Sequence, residues 1–402
     1  MTGVKNVPEL RFSEFSYEWS KSKTPIRIVA GKAYPMSAYS DSGIMLVQGQ
    51  NIFPNELKVE MPVFIPDSKI SESDVQINQN DILLGLNRPV IGNKLKACLY
   101  RDNRKAVLYQ RAGKLVFDKS KLSSGFLYQY LFSAVFTKQL LGELVGSDQP
   151  YIKSELFNVT KNIFPELQEQ QEIADFLSSM DKKIEQLTEK HSLLTEYKKG
   201  VMQQIFSQQI RFKDEQSDDY PEWEVMKAEY LFYSHSNKNH KSDLPILAAT
   251  QNRGVIPRSE TGLDIYSSDA SIASYKVIEP GDFLISLRSF QGGIEYSEYL
   301  GIGSPAYTVL KPKKDIVNSF YKFYFKKEDF ISRLSNTVVG IRDGKQISYS
   351  AFATLKLPYP CIEEQQKIAN FITEIDNKID QAWSVLEQTK AFKKGLLQKM
   401  FV

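Results

Sequence analysis

The chain has 402 residues, 42% of them hydrophobic and 25% charged, and 51 basic against 48 acidic side chains leave a formal net charge of only +3. This is the composition of a globular protein. It excludes a disordered chain, and no stretch reaches the ~20 apolar residues of a membrane helix. The start, MTGVKNVPEL, lacks a secretory apolar run, so a cytoplasmic protein is expected.

At about 150 residues per domain the length suggests two or three units. Cys98 and Cys361 are too few for a disulfide scaffold and are expected to be buried thiols. The small net charge is low for a protein that grips DNA phosphates unaided, so any basic surface is local or shared with a partner.

Along the chain, PELRFSEFSYEW comes first, with Arg11, Phe12 and Trp19. NQNDILLGLNRP follows as a turn and a short apolar strand, with Asp81 before it and Arg88 after it. FLYQYLFS from Phe126 reads as an aromatic core helix, and QPYIKSELFNVTKNIFP leads through strand-like residues to Pro165. From Pro165 a long helix is predicted: proline opens it, glutamates occupy the first turn where the dipole favours anions, and no second proline interrupts it. Its apolar stripe, Ile173, Leu177, Met180, Ile184, Leu187, His191 and Leu194, recurs at spacings of four and three.

The same series then returns. Arg211, Phe212 and Trp223 open it; EPGDFLISLRSF places Asp282 and Arg288; FYKFYFKK from Phe320 and KQISYSAFATLKLPYP lead to a second helix at Pro360. Residues 165–207 and 360–402 align without a gap at an offset of 195, with 16 of 43 positions identical. The second stripe keeps register in Ile368, Ile372, Ile375, Ile379, Ala382 and Leu386, followed by Thr389.

This is tandem duplication, in the order domain (1–164), helix (165–209), domain (210–359), helix (360–402). A helix of about 40 residues spans about 60 Å, longer than most domains. The stripes are therefore expected to pack on each other more than on a globular core. The fold class expected is α+β: two α/β domains joined by two long antiparallel helices in a coiled coil, with an internal pseudo-two-fold repeat. Duplex DNA has matching local two-fold axes.

The box that opens each helix stands as PELQEQQEIADF and PCIEEQQKIANF. With Lys198-Lys199-Gly200, Lys393-Lys394-Gly395 and the lead-in PELRF, it resembles the specificity subunits of type I restriction-modification systems. The resemblance covers essentially the whole chain, and two correctly spaced copies make it specific. It implies two target-recognition domains, each reading one half of a split double-stranded DNA target, with the helices setting the gap. It further implies two modification subunits that use S-adenosylmethionine to methylate adenine, and restriction subunits that use ATP and magnesium to translocate and cleave DNA. On this resemblance the chain itself is a non-catalytic reader and scaffold that binds no cofactor and no metal.

The residues agree in lacking catalytic motifs. His191, His235 and His240 have no neighbouring cysteine to complete a zinc site, and His235 and His240 read as exposed loop residues. Gly340 to Lys345 falls one residue short of a P-loop and is followed by Gln346 instead of a hydroxyl. Gly301-Ile-Gly303 reads as a tight turn, and Leu357-Pro358-Tyr359-Pro360 only resembles an amino-methyltransferase motif. Glu56-Leu57-Lys58 and Asp343-Gly344-Lys345 are chance nuclease-like triplets.

Base edges and phosphates are read mainly by Arg, Lys, Asn and Gln. In the first domain the candidates are Asn87, Arg88, Lys94 to Lys96, Arg101, Arg104, Lys105 and Arg111. In the second they are Gln251, Asn252, Arg253, Arg288, Ser289, Gln291, Arg342 and Lys345. Arg88 and Arg288 are the preferred pair, because both follow corresponding strands; a salt bridge to Asp81 or Asp282 is the competing role. Glu169, Gln170, Gln171, Glu364, Gln365 and Gln366 are candidates for docking partner subunits, with helix capping as the alternative. A coiled-coil protein scaffold with incidental DNA binding is the rival function, which the small charge favours and the divergence of the two domains disfavours. A self-contained nuclease or methyltransferase is disfavoured by the missing motifs.

Overall fold

The computed structural model describes residues 6–262, 268–337 and 347–402. Two long helices, Leu167–Phe206 and Ile362–Lys399, run unbroken. The chain forms two compact units, Met1–Thr188 with Ser384–Val402, and Glu189–Trp383. Each unit therefore holds one domain, the beginning of the helix that follows it and the end of the other helix.

In the first unit a four-stranded antiparallel sheet runs Ala97–Leu99, Ile82–Gly85, Ala112–Val116, Arg27–Ala30. A second sheet runs Phe64–Ile65, Ile44–Val47, Ala106–Leu108, Gln76–Ile77, with its middle pair parallel. The run Ile-Leu-Leu at 82–84 is apolar throughout because the strand is buried on both faces. Ile82 and Leu84 face a core with Phe126, Tyr130 and Phe164, while Leu83 faces another with Met45, Cys98 and Leu108.

The second unit repeats this plan. Glu295–Tyr296, Phe283–Ile285, Thr308–Pro312 and Phe232–His235 form the matching sheet in the same order. Phe283 and Ile285 pack with Phe232, Phe320 and Tyr321, whereas Leu284 packs with Leu247, Val255 and Val309. The expected turns before these strands are present: Asp81 accepts from the Asn78 amide at 3.0 Å, and Asp282 from that of Glu279 at 2.8 Å. The expected aromatic helices are Ser124–Tyr130, capped by Ser123, and Asn318–Tyr324.

The helix stripes divide their work. Ile173 and Leu177 belong to the first domain's core, together with Leu396, Met400 and Phe401 from the end of the other helix. Ile368 and Ile372 belong to the second core, with Val201, Ile205 and Phe206. The early residues of one helix thus meet the late residues of the other inside each unit, which is antiparallel packing. Each of these apolar side chains contributes roughly 1.5–3 kcal/mol through burial. The pure seam expected from the heptads is corrected to this extent: the first turns pack on globular core, because the domain that precedes each helix folds back over its start. Ile375, Ala382 and Leu386 are buried, while Met180, Ile184, Leu187 and Ile379 are half-buried.

Other expectations are also corrected. Gly301–Gly303 is a buried strand paired with Lys276–Ile278, not a tight turn. Glycine is required there because a Cβ on Gly301 would lie 2.4 Å from the Pro245 carbonyl oxygen. His235 is half-buried in a strand opposite Val309, and the His240 ring lies 3.1 Å from the Tyr275 carbonyl oxygen, so neither is an exposed loop residue. Cys98 is buried, but Cys361 only partly. Asp343-Gly344-Lys345 and the segment from Gly340 to Gln346 lie outside the described residues. Among the described residues no helix is long and apolar enough to cross a membrane.

Candidate nucleic-acid interface

The candidates of the first domain separate between the two ends of its strands. Asn87 and Arg88 follow Ile82–Gly85 at its carboxyl end, and the hairpin Val90–Ile91 with Lys94–Leu95 continues from them. Arg111 joins this end, since its carbonyl accepts from the Leu86 amide at 2.9 Å. Arg101, Arg104 and Lys105 lie at the opposite end, beyond Tyr100, whose amide bonds the Asp81 carbonyl at 3.0 Å. Arg104 is held by Asp102 at 2.5 Å, and Arg101 lies 3.7 Å from Glu185 of the long helix. These three do not share a surface with Arg88.

Arg88 adopts a left-handed backbone, φ 44°, with its amide bonded to the Pro150 carbonyl at 2.7 Å. A non-glycine residue held in that region is strained and kept there by its surroundings. The competing salt bridges do not form. Asp81 pairs with Lys114 at 2.7 Å and Asp282 with Lys311 at 2.8 Å, while Arg88 and Arg288 are exposed and, among the described residues, their guanidinium groups have no partner. Lys96 is buried behind this end, and Gly85 leaves room for it: a Cβ there would lie 2.9 Å from Lys96 Cε. Burial pushes the Lys96 pKa down.

In the second domain the candidates converge better. Gln251, Asn252 and Arg253 form the turn between Leu247–Thr250 and Gly254–Pro257. Arg288 to Gln291 follow the strand Phe283–Ile285, and the Gln251 and Gln291 side chains meet at 3.4 Å. Arg253 is drawn to Glu260 at 2.8 Å. Ser289 is corrected to a structural residue: it is 1% exposed, and its hydroxyl accepts from the Ser286 amide at 2.9 Å to close the turn. Arg342 and Lys345 lie outside the described residues.

One polar turn escaped the sequence reading. Gln48 to Asn51 follow the strand Ile44–Val47, as Gln251 to Arg253 follow theirs, and Gly49 lies so close to Arg111 that a Cβ would be 2.5 Å from its carbonyl oxygen. The repeat held the signal, a Gln- and Asn-rich turn after an apolar strand in both copies.

The docking candidates are mostly spent inside the units. Glu169, 2% exposed, accepts two bonds from Arg11, both at 2.7 Å, and one from Trp19 at 3.2 Å. Glu364, fully buried, accepts from Arg211 at 3.0 and 3.3 Å and from Trp223 at 2.8 Å. Gln170 and Gln365 are also buried and bond the Ser123 and Val317 amides, each at 2.9 Å. These four are corrected from docking residues to clamps: the two glutamates lock each lead-in onto its long helix and the two glutamines hold the start of each aromatic helix against it; buried carboxylates need such full pairing. Gln171 and Gln366 are exposed, each bonded one turn along to Asp175 or Asn370.

A repeated pair of domains with polar, basic loop clusters beyond the strand ends, carried on antiparallel helices, defines a class of tandem recognition proteins. Among the described residues no group of three or more His, Cys, Asp or Glu is placed to hold a metal ion. The chain belongs to the family described as the type I restriction modification DNA specificity domain, which matches twice, over residues 27–196 and 221–385.

It is 30% identical over 214 residues to the type I restriction enzyme MjaVIII specificity subunit of Methanocaldococcus jannaschii, covering 52% of this chain and 50% of that protein. To the EcoAI specificity subunit of Escherichia coli it is 28% identical over 172 residues, covering 42% and 28%. The chain thus spans about half the length of the first of these relatives. Its fold is similar to the S subunit of the type I restriction-modification system of M. genitalium, with a TM-score of 0.56 at 16% identity over 98% of this chain and 99% of that one. A chain from a study of complex assembly and conformational transition in the type I R-M system gives 0.50 at 16% identity, over 94% and 98%.

Proposed function

We propose that this protein is the DNA-reading subunit of a type I restriction-modification complex. Each domain reads one half of a split double-stranded target through the loops beyond its strand ends, and the paired helices set the gap. Adenine must leave the base stack to be methylated, which is work for two modification subunits carrying S-adenosylmethionine. Restriction subunits with ATP and magnesium would cleave. This chain supplies address and geometry, binds no cofactor itself, and presents Gln171 and Gln366 among its docking residues.

The observation that carries this reading is that Arg88 and Arg288, both exposed and with no guanidinium partner among the described residues, sit at corresponding strand ends of two diverged copies.

The test is binding by the complete complex to its cognate DNA and to random duplex across a salt series. Arg288→Ala is expected to cost roughly 1–3 kcal/mol on cognate DNA with little change on random DNA, as for a base contact. Equal affinity of the wild-type complex for cognate and random duplex would favour the scaffold.

A further inference from the structure

Two loops of the second domain are joined from beneath by one side chain. Lys326 Nζ donates to the Gly292 carbonyl at 2.8 Å, to the Gln251 carbonyl at 3.3 Å and to Glu295 Oε1 at 2.6 Å. An ammonium has three protons, so all its donors are engaged. Gln251 opens the turn that carries Asn252 and Arg253, and Gly292 closes the segment that carries Arg288 and Gln291. The loops touch so closely that a Cβ on Gly292 would lie 2.7 Å from Gln251 Cγ.

Glu295 anchors the lysine from a strand, its side chain 3% exposed, with Oε2 receiving no hydrogen bond from the described residues. A buried carboxylate and a backbone-bonded ammonium are costly to retain for stability alone. The first domain has neither at the matching positions. Glu295 lies opposite Leu284 as Cys98 lies opposite Leu83, and the aligned aromatic helices put Phe132 where Lys326 stands.

We propose that Lys326, held by Glu295, is a positioning residue that fixes the Gln251 and Arg288 loops in the mutual register with which the second domain reads its half of the DNA target. The inference rests on the reading of the protein as a two-part DNA reader. Lys326 touches no base in this account; it acts through Gln251, Gln291 and Arg288. Base readout fails when its groups are loose by much more than about 0.5 Å, so removing a strut between two reading loops lowers discrimination before affinity.

The experiment uses the complete complex and DNA substrates randomised in one half-site at a time, scored by methylation. Lys326→Met is expected to lower discrimination in the second half-site by about tenfold, the scale of one lost base contact. The first half-site should keep its preference, and Lys326→Arg, which can still donate to both carbonyls, should recover part of the loss.

Gly292→Ala disturbs the same loop contact without unpairing a charge and should give the same one-sided pattern. It decides the matter if Lys326→Met does not assemble. Unchanged discrimination in both halves, or equal loss in both, overturns the positioning role. A wild-type complex with no two-part preference overturns the underlying reading instead, so the two failures are distinct.

Discussion

Asp181 and Lys393 form an ion pair between the two long helices within the first unit, at 2.5 Å. The second unit contains the same pair with the helices exchanged, Asp376 with Lys198, also at 2.5 Å. Because 181 corresponds to 376 and 198 to 393 in the repeat, each copy offers its acid to the other's base. Reciprocal contacts of this kind are what a two-fold relation imposes on an interface. The first lysine of each Lys-Lys-Gly segment therefore serves the helix pair.

The two bridges are unequal. The Lys393 side chain is 9% exposed and that of Lys198 24%, and Lys198 also lies 5.1 Å from the Phe323 ring centroid. Burial lowers the Lys393 pKa, and Asp181 only partly offsets this. Asp181→Asn strands a buried ammonium and is expected to destabilise its unit by roughly 2–4 kcal/mol, whereas Asp376→Asn should cost about 1. Thermal unfolding followed by hydrogen exchange in each unit measures both. An Asp376→Asn penalty as large as that of Asp181→Asn contradicts the ranking.

The Glu-Gln-Gln boxes give a second ranking. Glu364→Gln removes the charge that balances Arg211, and a cost of roughly 3–5 kcal/mol is expected. Glu169→Gln should behave alike with Arg11. Gln171→Ala and Gln366→Ala remove exposed groups and should change stability by less than about 0.5 kcal/mol. Under the proposed function they are the variants with which to assay partner docking. A Gln171→Ala protein that unfolds as readily as Glu169→Gln would refute this division.

Stability should also respond to pH differently in the two units. Burial pushes Glu295 up to about 7, against the pull of Lys326. Its folded pKa exceeds its unfolded value, so the folded state holds the proton more tightly. The associated stability is complete below about 4.5 and lost as pH rises to about 7. Asp74 in the first unit behaves oppositely: burial pushes it up, but Lys32, Tyr34 and Ser71 bring it down to about 2, so its contribution is lost as pH falls through that value. Between pH 5 and 7.5 the unfolding midpoint of Glu295→Gln should rise relative to that of wild type, because glutamine cannot ionise. A difference between the two that does not change with pH would contradict the raised pKa of Glu295.

The helices, their register and the duplication were legible because helical periodicity and gap-free identity are local signals. Asp81 and Asp282 were legible as turn residues for the same reason. The clamps were not: Glu169 meets Arg11 across 158 residues, and nothing near either residue announces the other. Ser289 reads as an exposed polar residue until the turn at Ser286 encloses it. Arg101 and Arg104 count with Arg88 among the candidates of one domain, yet the strand Ala97–Leu99 carries them to the opposite end of the sheet. Lys326 was hidden inside an aromatic run expected to be core.

The proposed function is a reader with two halves and a fixed gap, and the most direct measurement is a map of methylated adenines in DNA from cells that contain this protein and the modification subunit proposed as its partner. The account predicts a two-part target with a constant spacing. Inserting seven residues at matching positions in both long helices preserves the seam and lengthens each by about 10 Å, so the spacing should grow by about three base pairs while both half-sites stay unchanged. A single uninterrupted target, or a lengthened protein that keeps the original spacing, would contradict it.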